Sequence, residues 1–106
     1  MSLVKPVTIE SSPWGKVEHQ AQYAPGVFSV MTRCFGGYFL DSKRNQLIPK
    51  KFRNENGWYD DEYEWAIVIF YIDAPYFQQF KSGAARYLRH LEAKLFPSGI
   101  TEGLVM

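Results

Sequence analysis

The sequence predicts a small α+β domain in which two helices cover a three-stranded antiparallel sheet made of a hairpin plus a third strand. The first half contains short runs of β-forming residues separated by turns rich in Pro and Gly. The stretch 57–71 starts with acids and continues as an apolar run, which is typical of a helix that begins at the surface and enters the core. Near the C-terminus, apolar residues recur at steps of three and four, the spacing of one helical face: Ala84, Leu88, Leu91 and Leu95. Strands followed by helices favour the α+β class.

The predicted sheet begins with a hairpin. Residues 17–23 carry mostly polar side chains, which is typical of an edge strand with one solvated face. The next residues, Ala-Pro-Gly at 24–26, predict a turn, because Pro fixes one φ and Gly permits a positive one. Residues 27–33 are rich in β-formers and complete the hairpin. A second turn at 36–37 precedes the short third strand, 38–40.

The acidic start of the stretch 57–71 predicts the first helix. Asp60 or Asp61 can act as its N-cap, and Asp61 with Glu64 has the spacing of a capping box. The body, 65–72, is apolar almost all round, which indicates deep burial. We favour a helix there because of the acids, while the β-branched run 67–69 keeps a buried strand as the alternative.

The whole chain predicts one domain. Its 106 residues are enough for one domain and too few for two. We expect a flexible N-terminal segment at 1–11, the α+β domain at 12–97 and a C-terminal tail at 98–106. Within the domain, we expect a loop or a single helical turn at residues 41–47 and the final helix at residues 82–96. Aromatic residues make up 17%, so the small core can use large rings and some rings will lie at the surface.

The net charge and the cysteine content exclude some classes of function. The formal net charge is +1, which gives no strong attraction for nucleic acid. One cysteine, Cys34, excludes an internal disulfide and a zinc site built from cysteines, and fits a reducing compartment. The longest apolar run, 65–72, is too short to span a membrane. We therefore expect a cytoplasmic protein with no membrane contact.

The acids at 60–64 are the candidate residues for chemistry. They could bind a metal or act as an acid–base pair, with His19 or His90 supplying an imidazole. A capped helix start explains the same acids without any chemistry, and we favour that interpretation. Because no complete catalytic set is present, we expect a non-enzymatic protein without cofactor or metal. A metal-binding or hydrolytic enzyme that uses this cluster is the alternative.

Two sets of residues are candidates for binding. The basic set could make the protein a nucleic-acid-binding module, although the acids that follow would offset its charge if they lie nearby. It consists of Lys43, Arg44, Lys50, Lys51 and Arg53. The aromatic set is expected to bind a protein partner or a second copy of the chain, as in a dimer, because Trp and Tyr dominate interface hot spots. It consists of Trp14, Trp58, Tyr59, Tyr63 and Trp65.

Several short motifs occur in order along the chain. They are Ser12-Pro13-Trp14-Gly15, Ala24-Pro25-Gly26, Thr32-Arg33-Cys34-Phe35-Gly36-Gly37, Leu40-Asp41-Ser42-Lys43-Arg44-Asn45 with Pro49, and Gly57-Trp58-Tyr59-Asp60-Asp61-Glu62 with Trp65-Ala66. Over about residues 12–72 the chain resembles a family of uncharacterised proteins of bacteria, their plasmids and phages. The resemblance implies common ancestry and an accessory role in a mobile element, and it implies no particular activity. Phe35 stands where the family pattern carries His, so an imidazole is lost from this chain.

Overall fold

The computed structural model describes residues 8–95, except for the side chain of Leu95. A small antiparallel hairpin comes first and consists of β1 (Ser11–Ser12) and β2 (Gly15–Lys16). The main sheet is an antiparallel meander of β3 (His19–Ala24), β4 (Val27–Met31), β5 (Gly36–Leu40) and β6 (Trp58–Asp60), adjacent in that order. The helical elements are α1 (Ser42–Asn45), α2 (Trp65–Tyr71), a 3₁₀ helix (Pro75–Phe80) and α3 (Lys81–Leu95).

The α+β class is confirmed, but the predicted three-stranded sheet is wrong in its number of strands. The hairpin β3–β4 and the third strand β5 match the prediction, whereas β6 and the hairpin β1–β2 do not appear in it. Strand β6 has only three residues, which is too short to show an alternating pattern. It begins directly after Gly57, whose φ of 80° turns the chain back onto the sheet.

One face of the main sheet packs against the helices and forms the core. Side chains alternate between the two faces of a strand, so Val27, Leu40 and Tyr59 all lie on this face. Helix α2 is buried on most sides, and four of its seven residues, Ala66–Ile69, are buried. The helix prediction for 65–72 is confirmed, with Ile72 as the C-cap residue. Its nearly all-round apolar sequence is explained by its position against both β5 and α3.

The remaining helical elements close the core. The 3₁₀ helix was not predicted; it follows the break at 73–75 and buries Phe77. Helix α3 presents the predicted stripe, since Ala84, Leu88 and Leu91 are all buried. The prediction's last residue, Phe96, lies outside the described residues, as do all of the predicted tail and most of the predicted N-terminal segment. No helix among residues 8–95 is long and apolar enough to cross a membrane.

Candidate functional site

Asp60 organises the acidic segment that precedes α2. Its carboxylate Oδ1 accepts hydrogen bonds from the backbone N–H groups of Glu62, Tyr63 and Glu64, at 3.0, 2.6 and 3.0 Å. In return, Glu64 Oε1 accepts from the N–H of Asp60 at 3.0 Å, and its Oε2 accepts from Asn54 Nδ2 at 3.0 Å. These two carboxylates therefore hold the chain in shape at the start of the helix.

The predicted N-cap and capping box of α2 are both wrong. The sequence predicts Asp60 or Asp61 as the N-cap, whereas the N-cap residue in the structure is Glu64, which makes no side-chain capping hydrogen bond. Asp61 was predicted to pair with Glu64, three residues later, and the structure instead pairs Asp60 with Glu64 across four residues. The extra residue is accommodated because β6 includes Asp60, so the chain must turn before α2 begins at Trp65. Asp61 is left exposed on the surface.

Trp14 lies on the opposite face of the sheet from the helices. Its backbone N–H donates to Ser12 Oγ at 3.1 Å, and Gly15, with a φ of 122°, completes the β1–β2 turn. The indole ring lies directly over Gly37, where an added Cβ would come within 2.3 Å of Trp14 Cη2. The same Cβ would come within 2.3 Å of the Tyr59 carbonyl oxygen, so glycine at this position allows close approach of both the ring and the neighbouring strand. The ring also contacts Trp58 edge to face, with centroids 5.6 Å apart.

Four aromatic residues line two depressions that Asp60 also lines, and we call this the Trp14 surface. They are Trp14, Phe35, Trp58 and Tyr63. Asp60 separates two shallow depressions, one of about 510 Å³ beside Trp58 and one of about 210 Å³ beside Phe35, and Trp14 lines both. Phe35 is 59% exposed and Tyr63 46%, so apolar ring area is open to solvent here.

The chain matches a family model for a domain of unknown function (DUF7007) over residues 7–101. The chain belongs to the DUF7007 family. No curated protein and no solved structure matches it.

Several motif residues of this DUF7007 domain have structural roles. Gly26, with a φ of 73°, turns the chain between β3 and β4 and lies against the carboxylate of Asp41. That carboxylate caps α1 by accepting from the N–H of Arg44 at 2.9 Å. Asn45 is buried and accepts from the hydroxyl of Tyr59 at 2.5 Å. These residues account for the local geometry and point to no reaction.

The structure brings together three of the five predicted aromatic residues of the DUF7007 domain. Trp14, Trp58 and Tyr63 lie on the Trp14 surface. Tyr59 is 0% exposed, so its ring belongs to the core. Trp65 stacks on Tyr87 of α3, with centroids 5.4 Å apart, and lies apart from the others. Phe35 is not among the predicted binding residues, because the sequence marks it only as a departure from the family pattern. It lies in a short loop between β4 and β5, where little can cover a ring, and this position could have indicated its exposure.

Most of the predicted basic set is paired with carboxylates. Arg44 contacts Asp41 at 3.2 Å, Lys51 contacts Glu92, and Arg53 lies 3.9 Å from Glu55. Arg53 is also held by its Nε, which donates to the Ile48 carbonyl at 3.0 Å. The carboxylate in each pair offsets a positive charge that could otherwise contact a phosphate of a nucleic acid. Lys43 and Lys50 are exposed.

Lys51 and Arg53 line a groove of about 440 Å³ between the 51–54 loop, α2 and α3. Its apolar floor includes Ile67 and Leu91, and the carboxylates of Asp60 and Glu64 share the lining. The acids that follow the basic segment in sequence are therefore its neighbours in space.

The two histidines occupy different surfaces. His90 lies on α3 beside Tyr87, with ring centroids 6.3 Å apart. His19 lines a depression of about 300 Å³ on the helix-facing side of the sheet, together with Asp61 and Tyr38. Burial, followed by the nearby Tyr23 and Asp61, raises the pKa of Tyr38 to about 12. Within residues 8–95, no three His, Cys, Asp or Glu side chains converge as a metal site would require.

Proposed function

We propose that this DUF7007 domain is a non-enzymatic module that acts through protein–protein contacts, with the Trp14 surface as its contact site. The observation that supports this proposal is the gathering of Trp14, Phe35, Trp58 and Tyr63 on one solvent-accessible surface. Large aromatic rings contribute most to binding hot spots because they bury much area with few rotatable bonds. The single cysteine supports a cytoplasmic setting. The family resemblance alone supports an accessory role in a mobile element.

The rings of this surface differ in how much they contribute to the fold itself. Trp14 and Trp58 contact each other, and Trp58 also packs on Phe39 with centroids 4.7 Å apart. Phe35 and Tyr63 extend further into solvent. Truncating Phe35 and Tyr63 therefore tests binding with the least disturbance of folding.

The test is a quantitative capture experiment in host cells with tagged wild-type protein and the double variant Phe35→Ala/Tyr63→Ala. Two lost hot-spot rings should reduce recovery of a true partner by at least about tenfold. Leu47→Ala is the matched control, because Leu47 is 62% exposed and lines neither depression. Sedimentation equilibrium of the same proteins detects a second copy as the partner. The proposal would be refuted if wild type, the double variant and the Leu47→Ala control recover every captured protein equally and the wild type sediments as a monomer.

A metal-binding role is the second candidate, and one observation favours it. His19 and Asp61 line the same depression, so an imidazole and a carboxylate of the acidic segment face a common space. Titration of the protein with Zn²⁺ in a calorimeter tests this role. Binding that His19→Ala and Asp61→Asn each abolish would support it, and a titration without heat would exclude it.

A further inference from the structure

The Trp14 surface is strongly acidic. Within the described part of the chain, its two depressions are lined by five carboxylates and a single cationic side chain. The carboxylates belong to Glu55, Asp60, Asp61, Glu62 and Glu64, and the cation is Arg53. This excess of negative charge contrasts with the whole chain, whose formal net charge is +1. The charge is therefore concentrated where the rings are exposed.

Part of this negative charge has no partner within the domain. Asp60 and Glu64 accept hydrogen bonds from backbone N–H groups and from Asn54. Asp61 and Glu62 are exposed, and no Lys or Arg among residues 8–95 forms an ion pair with either. Both residues line the smaller depression together with Phe35 and Tyr63. A cationic group bound here would meet both charge and an aromatic face.

One ring of the surface already holds a cation of the protein itself. Lys94 Nζ lies 5.2 Å from the centroid of the Tyr63 ring. This distance is typical of a cation–π contact. It shows that the geometry beside α2 lets a positive group approach a ring of this surface. Trp14 and Phe35, which line the same depression as Tyr63, have no such cation among the described residues.

We propose that the partner presents arginine side chains to the Trp14 surface, an inference that rests on the proposed function of this surface in protein contact. A guanidinium group is planar, so it can stack on a ring while its N–H groups donate to a carboxylate in two parallel hydrogen bonds. Asp61 and Glu62 supply the carboxylates, and Phe35 and Trp14 supply the rings. Lysine offers only a point charge and gains less from this combination.

The test uses three capped hexapeptides of alternating glycine and a second residue, which is arginine, lysine or glutamate. Binding is followed by tryptophan fluorescence and calorimetry at low salt and at 0.3 M salt. We expect the arginine peptide to bind several times more tightly than the lysine peptide, and the glutamate peptide not to bind. Asp61→Asn/Glu62→Gln should weaken binding of the arginine peptide by about tenfold. Glu10→Gln/Glu18→Gln, which changes two exposed acids outside both depressions, is the control.

The outcomes separate this inference from the function on which it rests. Equal binding of arginine and lysine peptides, no binding of either, or binding of the glutamate peptide would overturn the inference. If recovery of a host protein depends on Phe35 and Tyr63 but the arginine peptide does not displace it, the contact function stands and the arginine assignment falls. Displacement by the arginine peptide, and not by the lysine peptide, is the expected result.

Discussion

Replacing Tyr59 by Phe should destabilise the domain by about 2–3 kcal/mol. The hydroxyl donates to Asn45 Oδ1 at 2.5 Å and accepts from the N–H of Asn54 at 3.0 Å. Asn45 is 3% exposed, so its oxygen would lose its donor in a place that water cannot readily reach. A buried polar group without a partner costs about 1–3 kcal/mol, and the partly buried Asn54 N–H adds a smaller amount. For a domain of this size the melting temperature should fall by roughly 10 °C or more.

Urea unfolding followed by tryptophan fluorescence measures this change in the free energy of unfolding. Tyr76→Phe is the matched control, since Tyr76 is 51% exposed and its variant should stay within about 0.5 kcal/mol of wild type. The pair Tyr59 and Asn45 can also be tested by a double-mutant cycle with Asn45→Ala, which should show coupling because the two side chains share a hydrogen bond. If Tyr59→Phe is as stable as Tyr76→Phe, the hydrogen bonds of the Tyr59 hydroxyl make no net contribution to stability and the reasoning is refuted.

Three further predictions follow from the same structure. Gly37→Ala should displace the Trp14 ring, change the near-ultraviolet circular dichroism and cost at least about 1–3 kcal/mol, because the new Cβ would come within 2.3 Å of both Trp14 Cη2 and the backbone carbonyl oxygen of Tyr59. Lys81→Met should cost about 1–2 kcal/mol in thermal unfolding, because its ammonium donates to three carbonyls at the end of α2, at 2.8–3.0 Å. The pKa of Tyr38 is raised from 10.0 to about 12, so the folded state keeps a proton that the unfolded state releases. The resulting stability is fully present below pH 10 and is lost as pH rises through 12, and Tyr38→Phe should reduce that loss.

Each of these three predictions has a control. Gly83→Ala places a Cβ in open space within α3 and should stabilise the protein by about 0.4–1 kcal/mol, so a loss like that of Gly37→Ala would contradict the steric argument. Lys50→Met removes an exposed cation and should leave stability unchanged. For Tyr38, identical stability profiles of variant and wild type between pH 10 and 12 would show that its pKa is not raised.

The sequence predicted well wherever a pattern was long enough to repeat. Helix α3 is marked by apolar residues at helical spacing over three turns, and the β3–β4 hairpin is marked by its Pro-Gly turn. Strand β6 could not be found in the same way, because three residues do not make a pattern and its last residue, Asp60, together with Asp61, suggested a helix start. The predicted N-cap, Asp60 or Asp61, lies before the observed N-cap, Glu64, because the chain turns after β6 before α2 begins.

The candidate site was predicted in part, and its composition depended on contacts between distant segments. Residue types marked Trp14, Trp58 and Tyr63 as binding candidates, but nothing in the sequence distinguished them from Tyr59, which the register of β6 against β5 turns into the core. Phe35 belongs to the surface only because the β4–β5 loop lies next to the acidic segment that precedes α2.

The sequence by itself determined the fold class, the apolar character of α2 and the positions of the turns, since these depend on local backbone preference and on the period of hydrophobic residues. Tertiary structure alone decided which rings remain exposed and which carboxylates stay unpaired. A side chain's face is set by strand register, and its charge partner by segments far away in the chain. The acidic, ring-bearing surface around Asp60 is therefore a product of packing, assembled from β1–β2, the β4–β5 loop and the start of α2.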